Sequence, residues 1–195
     1  MKNKVYKIIF CILIILIIFV IALIVIKEMK SNENEEKNQE VVENFSNIDN
    51  TQKQELTLNG YKVIGLIKIP AINLEYPILD MEISNPEEAK APMKLAIIKY
   101  WGGEVNGYGN LSLAGHNNYN GTMFGKTKNL KVGDIVELTD LNNQTIQYQI
   151  YDIFKTDPND VTILETKDKT IREVTLITCT NGNRERLILK AKEMI

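Results

Sequence analysis

One histidine and two cysteines are all the imidazole and thiol in this chain of 195 residues. A structural zinc site takes four Cys or His ligands, so that shortage excludes one. Opposite charges nearly cancel, leaving a formal net charge of -2 and no electrostatic case for nucleic acid as a partner. No Gly-Lys-Ser/Thr follows the glycines at 102, 103, 107 and 109, so they make no phosphate loop. The acids Asp152, Asp157, Asp160, Glu165 and Asp168 lack the spacing and central glycine of an EF-hand, and read as a solvated loop. Helical periodicity is scarce throughout the second half.

What the chain does have is segregated along its length. Residues 8–26 are an unbroken apolar run that includes Cys11 as one more packed or lipid-facing side chain. At 1.5 Å per residue these 19 residues would span about 28 Å, close to a bilayer core. Lys2, Lys4 and Lys7 precede the run without an acid, which places residues 1–7 in the cytoplasm and the rest outside. The run is long, and Lys27, Glu28, Met29 and Lys30 stand after it where a cleavage site would show small residues. It therefore reads as an uncleaved signal anchor. Residues 27–55, rich in Asn, Glu, Gln and Lys, read as an extracellular polar stalk with a short helix around 39–47.

From residue 56 to 195 the composition turns to short β-branched and aromatic runs between turn signals, enough chain for one domain with its own core. Strands are expected at 61–69, 72–79, 111–114, 135–138, 145–154, 173–178 and 186–191. In the fifth of these, Ile146, Tyr148 and Ile150 alternate with polar residues. A helix is expected over 86–100, capped by Asn85, started by Pro86 and interrupted at Pro92, and one short helical turn over 123–130. About seven closely spaced strands without regular strand–helix alternation make the domain mainly β, a closed or nearly closed antiparallel barrel.

Cys179 stands between the last two strands and has no disulfide partner in the exported part, so it is either inert in the core or kept for chemistry. His116 comes directly after the strand 111–114, between Gly115 and Gly121, where a loop can present it to a cleft. A thiol, an imidazole and an arginine at a strand end are the parts of a thiol nucleophile site. Two arginines compete. A connection symmetric about 182.5 sets Arg186 across from Cys179, whereas a two-residue turn on Asn181-Gly182 sets Arg184 there. Spacing alone leaves both open, and a solvated turn charge is the ordinary fate of either.

TLITC followed shortly by RLILKA, with LAGH some sixty residues upstream, resembles the sortases, cysteine transpeptidases of Gram-positive cell surfaces. GLIKIPAINLEYPI, GNLSLAGHN and MFGKTKNLKVGDIVELT extend the resemblance over residues 61–195. It implies a closed eight-stranded β-barrel with few short helices, preceded by one transmembrane helix. It puts the nucleophile on Cys179, the general acid and base on His116 and the arginine on Arg186, with Ala114 and Thr178 lining the substrate groove. The implied reaction is cleavage of an LPXTG-like C-terminal sorting signal through a thioester. Transfer then goes to an amine of peptidoglycan precursor or of a pilin. No cofactor or metal is expected, and calcium modulation stays open. A compact, class D-like enzyme is expected, since nothing after Arg186 reads as a second membrane helix and no aromatic lid precedes the barrel. The competing readings are a hydrolytic cell-surface thiol peptidase and a non-catalytic tethered scaffold. Papain-like enzymes place Cys before His in the chain, the reverse of the order here.

Overall fold

With no polar side chain from 8 to 26 and no glycine or proline before Gly60, nothing in the N-terminal stretch breaks a helix. In the computed structural model, which describes residues 2–81 and 88–194, it forms one helix, α1 (Lys2–Asn47). The chain divides into two compact units, one ending at Lys37 and the other beginning at Asn38. In the first, the side chains of the apolar run are exposed, and the helix is long and apolar enough to cross a membrane.

The second unit starts earlier than residue 56, because part of the expected stalk belongs to it. Val41, Val42 and Phe45, scattered apolar residues on paper, share one face of α1 and are buried in the domain core. Burial of each such side chain contributes roughly 1.5–3 kcal/mol. After α2 (Asn50–Lys53), the fully buried Lys53 donates from Nζ to Asn143 Oδ1 and lies 4.6 Å from the Phe45 ring centre. An ammonium out of water needs such partners, and these two tie the N-terminal segment to a hairpin 90 residues away.

The rest of the second unit is built on nine strands: β1 (Thr57–Leu58), β2 (Tyr61–Ile69), β3 (Leu74–Leu79), β4 (Ile97–Trp101), β5 (Gly109–Ala114), β6 (Ile135–Asp140), β7 (Thr145–Thr156), β8 (Arg172–Thr180) and β9 (Glu185–Glu193). Their order is β1-β2-β3-β4-β5-β8-β9-β7-β6, and β6 pairs back onto β2. That pairing closes β2 to β9 into an eight-stranded barrel, with the two-residue β1 outside the ring. The sequence led to a closed or nearly closed antiparallel barrel; the barrel is closed, but two of its pairings, β3–β4 and β5–β8, are parallel. Both pairs are joined by connections long enough for the crossover that parallel pairing demands.

β7 keeps the expected alternation, with Tyr148 and Ile150 buried between exposed neighbours. β8 pairs with β5 on one side and β9 on the other, and is buried continuously from Val174 to Thr178. The helix expected over 86–100 is not formed as such. The capping pair Asn85 and Pro86 lies outside the described residues, and among the described residues of this span only α3 (Lys90–Met93) is helical. Pro92 cannot donate to continue a helix. The buried β-branched pair Ile97 and Ile98 instead joins β4 to Ile78 and Leu79 of β3. The short turn expected over 123–130 is a 3₁₀ helix, Phe124–Asn129.

Candidate active site

The β8–β9 hairpin sets the first relationship. Asn181, Gly182 and Asn183 all take positive φ, at 50°, 62° and 70°, the residue types for which left-handed backbone is least costly. The four-residue connection that results pairs Thr180 with Glu185 and Cys179 with Arg186. Arg184 falls in the turn and is exposed. The symmetric register is therefore the one adopted.

The parallel β5–β8 ladder sets the second. Ala114 pairs with Ile177, an offset of 63 (177 − 114), and Gly115 N continues it by donating to Ile177 O at 3.2 Å. The same offset brings His116 level with Cys179 (179 − 116 = 63). Two side-chain bonds hold the strands together beyond their ladder. Thr178 Oγ1 donates to Gly115 O at 2.7 Å, and Asn117 Nδ2 donates to Cys179 O at 2.8 Å. His116 is further fixed by its carbonyl, which accepts from Phe124 N at 3.0 Å. Phe124 packs so closely on Gly115 that a Cβ there would lie 2.9 Å from its Cδ2, which is why this position holds glycine.

All five residues singled out from the sequence, Ala114, His116, Thr178, Cys179 and Arg186, line one cleft of about 470 Å³. Cys179 is a free, half-buried thiol. Ala114 and Thr178 are almost fully covered, and the Thr178 hydroxyl is committed to Gly115, so it braces the strands more than it offers a donor to the cleft. The Arg186 guanidinium donates from Nη1 to Asn183 O of the turn at 3.2 Å and to Glu185 O, at the start of β9, at 3.4 Å. It has no carboxylate partner among the described residues, and Arg186 lies across from Cys179 on the neighbouring strand. Burial, and secondarily the charge of Lys94, push the His116 imidazolium below the ordinary histidine range.

The walls of the cleft were not legible in the sequence. One is the end of α3 and the residue after it, Met93 and Lys94; the other is the β7–β8 connection, with Asp160, Val161, Ile163 and Leu164. Asp160 accepts from the hydroxyls of Thr156 and Thr162 and from Thr162 N, which hold its carboxyl below the usual range. Read as a solvated acidic loop, that connection hid its signal, three apolar residues within four positions (161, 163 and 164).

Comparison with known proteins places the chain in a family. A family model described as the sortase domain matches residues 67–194. Sortase A of Bacillus anthracis is 32% identical over 150 residues, covering 74% of this chain and 67% of the relative. Among solved structures, a sortase D5 transpeptidase of Clostridium perfringens is 30% identical with a TM-score of 0.64, covering 83% of this chain and 98% of that one. Sortase A of Listeria monocytogenes is 26% identical with a TM-score of 0.58, covering 68% and 88%. With the family match spanning well over half its length and the barrel in common, this chain belongs to the sortase family of transpeptidases.

Proposed function

We propose that the chain is a membrane-anchored, extracellular cysteine transpeptidase that joins proteins bearing an LPXTG-like sorting signal to an amine. The observation that carries the reading is the convergence of His116 and Arg186 on Cys179, one through the β5–β8 offset and the other through the β8–β9 register. The Cys179 thiolate attacks the carbonyl carbon of the Thr–Gly bond, and the electron pair moves onto the carbonyl oxygen. Arg186 leaves the Asn183 and Glu185 carbonyls to donate to that oxyanion. As the oxyanion collapses, the C–N bond breaks and the leaving amine takes a proton from the His116 imidazolium, which leaves a thioester on Cys179. An incoming amine attacks the thioester, gives its proton to the now neutral His116, and expels the thiolate with a new amide bond formed. Each proton transfer by His116 is worth on the order of 10²- to 10⁴-fold.

The acceptor is an amine of peptidoglycan precursor or of a pilin, and the step consumes no cofactor. Lys2, Lys4 and Lys7 keep the N-terminus of α1 cytoplasmic, so the barrel works on the outer side, within reach of secreted substrates. Similarity to the sortase D5 transpeptidase along nearly its whole length supports a class D-like subclass.

The test is to incubate the full chain in detergent with LPXTG-like peptides and an amine acceptor and identify products by mass. Transfer product is expected from the wild type and none from Cys179→Ala. Hydrolysis alone, with ample amine present, would make the protein a peptidase. A Cys179→Ala protein that keeps full surface function would make it a scaffold.

A further inference from the structure

The wall formed by residues 157–171 has little regular structure of its own, only the single 3₁₀ turn Thr162–Leu164, yet it contributes much of the cleft. Something outside it must fix its position. Its two ends are held by backbone and by Asp160: Gly109 N donates to Ile171 O at 2.8 Å at the far end. At the middle Ile163 is buried in the core with Leu164 packed against it, and the polar hold comes from Asn110 of β5, which is 2% exposed.

Asn110 Nδ2 donates to Ile163 O at 3.1 Å, and Oδ1 accepts from Thr175 Oγ1 at 2.8 Å. The Ile163 carbonyl can only accept, so it fixes which way the amide faces, with the donor end at the wall and Oδ1 left to accept from the Thr175 hydroxyl. Asn110 N adds a bond to Thr166 Oγ1 at 3.2 Å, and a weaker contact runs from Nδ2 to Ser112 Oγ at 3.4 Å. A buried amide is costly unless its bonds are made, and here they are made to three places at once. They join β5, which ends two residues before His116, to β8, which carries Cys179, and both to Ile163, which lines the cleft.

We infer that Asn110 is a positioning residue for substrate binding, holding the 157–171 wall at a set distance from Cys179 and His116. The inference rests on reading the cleft as the peptide site. Asn110 touches no reacting atom, so its loss acts on how well the substrate is held and leaves the nucleophile itself intact.

The test uses Asn110→Leu in the full chain, in detergent, with a sorting-signal peptide that the wild type turns over. KM is expected to rise about ten-fold or more while kcat stays within about two-fold. The rate of Cys179 alkylation by iodoacetamide is expected to stay at the wild-type value. The Leu164 and Glu165 amides, bonded to Val161 O and Thr162 O, are expected to lose hydrogen-exchange protection about ten-fold or more, with the β8 amides unchanged. Should the leucine variant not fold, Thr166→Val removes one exposed acceptor of the same network and is expected to move KM and the same two amides in the same direction, less far. A variant with wild-type KM and wild-type protection at 164 and 165 overturns the inference. So does one in which kcat and alkylation fall while KM holds, because Asn110 would then act through the nucleophile strand. If the wild type turns over no sorting-signal peptide, it is the peptide reading that fails, and the exchange measurement alone decides whether Asn110 holds the wall.

Discussion

Cys179 and Arg186 face each other as a cross-strand pair at the end of the β8–β9 ladder, while Arg184, two residues earlier, sits in the exposed turn. The pairing makes the two arginines a built-in comparison. Arg186→Ala is expected to lower kcat/KM by about 10²- to 10³-fold, the usual effect of removing an oxyanion donor. Arg184→Ala is expected to stay within about two-fold, as an exposed turn charge does. Steady-state kinetics on the two variants decide it, and equal losses would mean that the register does not select the working arginine.

The depressed His116 pKa fixes the sign of a pH effect. The leaving amine needs His116 protonated, and the protonated fraction falls as pH rises through its pKa. A lowered pKa brings that fall to lower pH than for an ordinary histidine. Lys94→Gln removes the secondary, electrostatic cause and leaves the primary one, burial, in place. The basic limb of the kcat/KM profile is therefore expected to move to higher pH. Because Lys94 is exposed, raising the salt concentration should shift the wild type the same way. A profile that Lys94→Gln leaves in place, or moves to lower pH, contradicts the assignment of this limb to His116.

Gly115 and Phe124 leave no room between them for a methyl group. Gly115→Ala is expected to destabilise the domain by about 1–3 kcal/mol, the common range for overpacking. It should also slow turnover, since His116 is the next residue. Phe124→Leu in the same chain should return part of the activity, as measured by chemical denaturation and peptide turnover. Full activity in the single variant would show that the close approach is dispensable.

The C-terminal end of α1 gives a stability test of the domain boundary. Phe45 is fully buried and carries the Lys53 ammonium over its ring. Phe45→Ala in the full chain is expected to cost about 3–5 kcal/mol in denaturant unfolding. A stalk residue in water would cost nearly nothing, and that outcome would return the boundary to residue 56.

These cases also show what one sequence reveals. His116 and Cys179 stood out because they are scarce, whereas the Cys179–Arg186 register did not follow from spacing, which allowed Arg184 as well, and only the family resemblance pointed to Arg186. β7 announced itself through the period-two pattern of Ile146, Tyr148 and Ile150. β4 did not, since Ile97 and Ile98 are both buried and a short apolar run after a proline carries no period. Lys53 and Asn110 were invisible for another reason. A buried polar side chain makes sense only beside its partners, and theirs lie 90 and 53 residues away in the chain. The cleft walls share that property: Lys94 and Ile163 meet the nucleophile through the closed barrel and through no local motif.

The central claim is that Cys179 carries the acyl group between two amines. The direct measurement is the intact mass of the full chain after incubation with an LPXTG-type peptide and no added amine, followed by fragment mapping. The account predicts an adduct equal to the peptide up to its threonine, located on Cys179, lost on treatment with hydroxylamine and absent from Cys179→Ala. Turnover of the peptide with no adduct on Cys179, or with an adduct that survives in Cys179→Ala, would contradict it.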